Sequence, residues 1–138
     1  MLEKQIGEIL DNYLPTILEE SSILKGNLLD NDVQNFIISN PNMFVIGLIA
    51  DQSVKAEIAW SLPYKLFKRL NSVNFSPDDF EKAIKEKPAL HRYPHKMAVY
   101  IYEAICKINN EYNGNAVNIW RDVDATTIIK RFEEFKGI

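Results

Sequence analysis

The chain has 138 residues, of which 46% are hydrophobic and 25% are charged, and its formal net charge at pH 7 is −3. This composition indicates one globular domain with a sizeable core and without low-complexity segments. No apolar run is long enough to span a bilayer and no signal peptide is visible, so we expect a cytoplasmic protein with no membrane partner. The lone cysteine, Cys106, excludes a disulfide framework and a cysteine cluster for zinc or iron–sulfur.

Residues 1–39 are predicted to form acidic helices that pack on the rest of the chain. Apolar side chains recur at helical spacing over residues 2–24, where Pro15 should kink or split the helix. A second, short helix is expected after Asp30 or Asn31. We assign no chemistry to this segment.

A helix beginning at Pro41 is predicted to form the centre of the fold. Asn40 suits the N-cap position, and Pro41 suits the first helical position, where its missing N–H is not needed. The residues from Phe44 to Ala50 are apolar on nearly every side of such a helix. This pattern is typical of a buried helix.

A polar corner, Asp51-Gln52-Ser53, follows the central helix. We expect Ser53 to cap a second helix over residues 54–60, and Pro63 to start a third helix over residues 63–70. The polar face of this third helix would carry three cations: Lys65, Lys68 and Arg69.

Three longer helices are predicted in the second half of the chain. Ser76 begins a run with a cap, a proline and first-turn acids, which indicates a helix. Another is expected over residues 96–112 and should end near Gly114. After a short turn, Asp124 should cap a helix over residues 125–135. The apolar face of this last helix contains Ile128, Ile129, Phe132 and Phe135.

Two prolines, Pro88 and Pro94, bracket a stiff loop that should display basic and aromatic side chains. Loops held by rigid helices commonly carry function. The loop and the start of the next helix contain His91, Arg92, Tyr93, His95 and Lys96. No further ligand lies at a familiar metal-binding spacing from the two histidines, so we predict no metal site.

Positive charge is concentrated around the corner and the loop. Residues 1–40 hold two basic and seven acidic side chains, residues 41–70 hold four and two, and residues 85–107 hold five and two. Phosphate contacts need local rather than overall positive charge. The pattern therefore allows a nucleic-acid surface, with solvated helix faces as the alternative interpretation.

These motifs together resemble the helix-hairpin-helix–GPD superfamily of base-excision DNA glycosylases, and most of all a small branch without iron–sulfur cysteines. The resemblance rests on Ala-Asp-Gln at 50–52, Ala-Trp-x-x-Pro-Tyr at 59–64 and Ala-Leu-His-Arg-Tyr-Pro at 89–94. It covers about residues 35–138. The final Phe-Lys-Gly-Ile at 135–138 resembles the start of the hairpin, and the chain ends inside that motif.

The resemblance implies an all-α, orthogonal multi-helix bundle that is incomplete at its C-terminus. Residues 1–39 would form the acidic leader, and residues 40–138 the N-terminal half of a glycosylase-like domain. Such a protein would bind duplex DNA and flip a damaged base out of the stack. The family's hairpin lysine and catalytic aspartate have no counterpart, so we assign no catalytic residue and no cofactor, and we expect this chain alone to be inactive.

The resemblance also implies a set of DNA contacts. Gln52 would fill the hole left by the flipped base, and Arg92 or Tyr93 would face the opposite strand. The whole set is Gln52, Ser53, Lys55, Arg92, Tyr93, His95, Lys96, Lys136 and Gly137. From the charge pattern we also predict phosphate contacts by Lys65, Lys68 and Arg69.

Several alternatives stay open. The chain could be a non-catalytic module that binds DNA or protein through the same surface, or an all-α interaction domain unrelated to DNA. Gln52 should be exposed if it is a wedge and hydrogen-bonded if it is a structural cap. In the related fold the last helix packs against later helices, so we expect its apolar face to be poorly covered here. We expect self-association through this face, with cover by the chain's own N-terminal helices or by a further segment as the alternatives.

Overall fold

The computed structural model describes residues 31–70 and 76–138 of the chain. Within these ranges all regular structure is helical, so the all-α prediction is confirmed. No helix in the described part is long and apolar enough to cross a membrane. The helix predicted over residues 2–24, with its kink at Pro15, lies outside the described residues.

Seven helices follow one another in the described residues. They are α1 (Asn31–Ser39), α2 (Pro41–Ala50), α3 (Ala56–Arg69), α4 (Pro77–Lys85), α5 (Pro94–Glu111), α6 (Val117–Trp120) and α7 (Ala125–Glu133).

Helix α2 lies at the centre of the fold, as its composition predicts. Every residue from Phe44 to Ala50 is buried, and α1, α3 and α5 all pack against this helix. Gly47 lets the indole of Trp60 lie directly on the helix backbone, because a Cβ at Gly47 would collide with the six-membered part of that ring. The close approach of α2 and α3 therefore depends on the absence of a side chain at this position.

Helix α3 differs from its prediction at both its start and its middle. The two helices expected on either side of Pro63 are one continuous helix. Proline removes a single backbone donor, and the burial of Trp60 and Leu66 on both sides of it holds the helix together. The predicted cap is also wrong, because Ser53 has a left-handed φ of 57° and the N-cap position is occupied by Lys55.

The predicted starts of α4 and α7 are confirmed, and a side-chain cap forms at each of them. Ser76 and Asp79 form a reciprocal capping box, which lowers the pKa of the Asp79 carboxyl. Asp124 accepts a hydrogen bond of 2.8 Å from the Thr127 N–H, and this bond lowers its pKa in the same way. Asn40 occupies the N-cap position of α2, but its side chain donates to the Phe36 carbonyl and so closes α1 instead.

The apolar face of α7 is covered within the chain, so the expectation that it is poorly shielded was wrong. Phe132 is only 1% exposed and packs against the rings of Phe44 and Trp120. Phe135 stacks on Tyr112 at the end of α5, with 6.4 Å between the ring centroids. Because these neighbours already bury the face, the reason for self-association through α7 is removed.

Candidate nucleic-acid interface

Three segments that are far apart in the sequence meet on one side of the molecule. The corner after α2 is joined to the proline-bracketed loop by a 2.8 Å hydrogen bond between His91 Nε2 and the Ala50 carbonyl. The corner is also joined to the end of the chain, since Gln52 Nε2 donates to the Gly137 carbonyl at 2.8 Å. We call the result the corner–loop surface. It comprises Gln52, Ser53, Lys55, Ile58, Arg92, Tyr93, Lys96 and Gly137.

His91 is part of the framework and is not displayed by the loop as predicted. Its side chain is 4% exposed. Besides the bond to Ala50, its Nδ1 accepts a 3.0 Å hydrogen bond from the Tyr93 N–H. Burial is the main cause that lowers its pKa; the hydrogen bond to Ala50 opposes this shift, and the charge of Lys96 adds to it. The ring is therefore neutral at pH 7, and it fixes the loop against the end of α2.

Gln52 makes the hydrogen bonds of a structural cap. Its amide nitrogen donates to the Ile49 carbonyl at 2.9 Å as well as to Gly137. Both partners are carbonyl oxygens, so the amide N–H groups of Gln52 are already used as donors. The side chain is also half-buried. This geometry matches the hydrogen-bonded alternative, and it does not match the free, exposed side chain expected of a wedge.

Gly137 is needed where the chain end crosses the corner. Its φ is 94°, and a Cβ there would lie 2.8 Å from both Gln52 Nε2 and Tyr100 Cδ2. Only glycine fits such a left-handed position at this distance without moving its neighbours. Its neighbour Lys136 lies at the edge of the surface, with Nζ 3.5 Å from a carboxylate oxygen of Glu103.

The cations of the corner–loop surface differ in how they are held. Lys55 and Arg92 are exposed, and neither forms an ion pair within the described residues. Lys96 Nζ lies between two aromatic rings, 5.8 Å from the Tyr93 centroid and 5.7 Å from the Tyr100 centroid. These three charged groups therefore remain open to an external anion.

An open groove of about 690 Å³ runs between the corner and the loop. Its apolar lining comes from Val54, Ile58 and Ala89, with Lys55 and Arg92 beside them. Two apolar side chains of this region are unusually exposed for their size, Ile58 at 41% and Tyr93 at 40%. The surface thus combines free cations with apolar contact area.

His95 points away from this arrangement. Its Nδ1 lies 2.7 Å from a carboxylate oxygen of Glu81 on α4, so the helix face that carries it differs from the face of Lys96. Within residues 31–70 and 76–138, no three His, Cys, Asp or Glu side chains are grouped so as to hold a metal ion. Cys106 is half-buried on α5, and its contact with Tyr102 raises the pKa of that phenol.

A second group of cations lies at the far end of α3, about 20 Å along the helix from Lys55. There the Arg69 guanidinium donates to three carbonyl oxygens, those of Ala83, Glu86 and Pro88, at 2.7–2.8 Å. Its side chain is only 18% exposed, and its Nε also lies 3.4 Å from the Glu86 carboxylate. The predicted phosphate contact by Arg69 is therefore corrected: the guanidinium holds the end of α4 in place.

Two members of this region, Tyr100 and Ile58, were not predicted from the sequence. Tyr100 completes the pair of rings around Lys96, and the spacing of Tyr93, Lys96 and Tyr100 by three and four residues could have revealed it. Ile58 gives no comparable signal. Its spacing to the buried Leu62 predicts a core position, whereas its side chain is 41% exposed.

Comparison of the chain with protein-family models, with curated proteins and with solved structures found no match. The resemblance to glycosylases therefore rests on the motifs at 50–52, 59–64 and 89–94 alone.

Proposed function

We propose that this chain binds duplex DNA through the corner–loop surface, as a base-excision glycosylase-like protein would. The observation that carries the proposal is the convergence of Lys55, Arg92 and Lys96, all without a carboxylate partner in the described residues, on one surface. A cation that is already paired with a carboxylate gives up that ion pair when it meets a phosphate, whereas Lys55, Arg92 and Lys96 have no such pair to lose in the described residues. Binding should be weak, because the net charge of −3 opposes it.

Tyr93 is the best candidate for contact with the bases. It is exposed, it follows Arg92 directly, and its backbone is fixed by the His91 ring. An aromatic side chain held rigidly beside two cations can stack on an unpaired base while the cations hold the flanking phosphates. Gln52 is assigned no base contact, since its amide already bonds two carbonyls.

The test is the salt dependence of binding to a short duplex, measured by fluorescence anisotropy. The logarithm of affinity should fall linearly with the logarithm of salt concentration for the wild type. The double variant Arg92→Ala/Lys96→Ala should reduce the slope by about two units. Lys82→Ala/Lys85→Ala, which removes the same charge from exposed positions on α4, is the matched control and should reduce it far less.

Three results would overturn the proposal. They are an affinity independent of salt, an unchanged slope in the Arg92/Lys96 variant, and equal losses in that variant and the α4 control.

The second candidate function is a protein-binding module, favoured by the exposure of Tyr93 and Ile58 beside Arg92. That function predicts no shift of the duplex at any salt concentration, and it would then replace DNA binding as the leading interpretation.

A further inference from the structure

The ring of His91 has both nitrogens committed to opposite hydrogen-bonding roles. The Ala50 carbonyl can only accept, so Nε2 must carry the proton. The Tyr93 N–H can only donate, so Nδ1 must present a lone pair. The two partners together allow one protonation state, the neutral ring with its proton on Nε2.

These two bonds are what hold the loop to the corner. Ala50 is the last residue of α2, and Tyr93 occupies the N-cap position of α5. Arg92 is thereby placed with Lys55 in the lining of the groove, and the Tyr93 ring is held 5.9 Å from the His91 ring, between centroids. The ring therefore fixes the relative position of the charged groups on which the proposed DNA binding depends.

A proton added to Nδ1 would break this arrangement. The new N–H would point at the Tyr93 N–H, so one hydrogen bond would be lost and two donors would face each other. A positive charge would also be created in a buried position. The surrounding charged groups do not compensate it. Lys55 and Arg92 flank the groove, Lys96 approaches from α5 and disfavours the charged ring, and Asp51 follows Ala50 at an exposed position of the corner.

We propose that His91 is a pH-sensitive latch that holds the Arg92–Tyr93 loop against the corner, and that its protonation releases the loop and dismantles the DNA-binding surface. This regulation rests on the proposed function and deepens it. The latch is closed at neutral pH and opens as the solution becomes acidic.

The direction of the His91 pKa shift agrees with a latch that is closed at neutral pH and opens in acid. Burial lowers the pKa of His91 below its ordinary value near 6.5. A base whose pKa is lower in the folded than in the unfolded state contributes full stability above the unfolded value. That contribution is lost as pH falls from about 6.5 towards the lower, folded value. The closed loop is therefore the state of neutral solution.

The latch itself is tested without DNA by NMR titration of the full chain. The His91 ring should titrate below about pH 6.5, and the Tyr93 amide signal should move with the same midpoint as its hydrogen bond is lost. His95 is the only other histidine and is exposed, so His95→Gln should leave both midpoints unchanged. A His91 midpoint at or above 6.5, or a Tyr93 amide that does not follow it, would overturn the latch.

The effect on binding is tested by duplex affinity at about pH 7.5 and about pH 5, at one salt concentration. Simple addition of charge would strengthen binding in acid, whereas an opened latch should weaken it about three- to tenfold. His95→Gln should retain this loss. His91→Gln, whose amide can still donate to Ala50 but cannot be protonated, should abolish it.

The outcomes separate the two proposals. Tighter binding of the wild type in acid, or the same loss in His91→Gln, would overturn the regulatory role while leaving DNA binding intact. Absence of duplex binding at pH 7.5 would overturn the proposed function and its regulation together. In that case the NMR titration still decides whether the latch exists, and if His91→Gln does not fold, the wild-type and His95→Gln titrations decide it alone.

Discussion

Arg69 and Arg92 are equivalent in the charge count along the sequence, yet the fold uses them in opposite ways. The Arg69 guanidinium is mostly buried and donates to three backbone carbonyls at the end of α4 and the following loop. Arg92 is exposed beside an open groove and forms no ion pair in the described part of the chain. The one stabilises the structure, and the other is available to a partner.

The comparison shows that a cluster of basic residues in the sequence can contain both cations that hold the fold together and cations that are available to a partner. A planar guanidinium with five donors suits a cluster of carbonyl oxygens as well as it suits phosphate. Only the distance to the surrounding carbonyls decides which use is made of it. Variants at Arg69, Gln52 and Arg92 test this division, and the Arg69 variant is expected to cost the most stability.

Substitution of Arg69 by Met should lower the free energy of unfolding by about 2–3 kcal/mol, because it leaves carbonyl acceptors without their donor. Urea denaturation measures this. Arg69→Lys keeps the charge but cannot reach three carbonyls at once, so it should recover less than half of the loss. A change within about 0.5 kcal/mol for Arg69→Met would mean that Arg69 is not a structural residue.

Gln52 lies on the same surface as Arg92, but like Arg69 it donates hydrogen bonds to backbone carbonyls within the chain. Gln52→Ala should cost about 1–2 kcal/mol, since the Ile49 and Gly137 carbonyls lose a shared donor. Gln52→Glu should cost more at pH 7, because a carboxylate would face two carbonyl oxygens, and should recover as the pH is lowered through about 4. Thermal melts at both pH values give the answer. Equal stability of the three proteins would return Gln52 to the candidates for DNA contact.

The smallest effect on stability is expected at Arg92. Arg92→Ala should change the free energy of unfolding by less than about 0.5 kcal/mol, as for ordinary exposed sites. The same variant should reduce the salt slope of duplex binding by about one unit. A loss of stability comparable to that of Arg69→Met would show that the two arginines do not differ in the way described, and that any loss of binding is a consequence of unfolding.

Much of the helical architecture could be predicted from local sequence. The caps at Ser76 and Asp124 are formed by the residue itself and the backbone three positions on, so their geometry needs no tertiary information. The continuous apolar pattern of α2 likewise indicates burial whatever surrounds it. Pro63 misled the prediction because its local cost was outweighed by the packing of distant residues against α3.

The candidate site was predicted as a set of residue types but not as an arrangement. The sequence identified the corner, the loop and the final residues as the segments to examine, and these segments do meet. It left the role of Gln52 open and did not predict the internal contacts of His91 and Arg69, because hydrogen bonds over 41, 85 and up to 19 residues of separation leave no periodic signal. The same holds for the face of α7, whose apolar pattern was clear while its covering residues were not.

The sequence by itself therefore determined most of the helical segments among the described residues, where several of them begin and which faces are apolar, since these properties depend on interactions within a few residues. Only the tertiary structure decided which polar groups are left free. That outcome depends on which carbonyls and rings the fold brings within about 3 Å of each donor. Arg69, His91 and Gln52 found such partners, Lys55 and Arg92 have none among residues 31–70 and 76–138, and the proposed function rests on this difference.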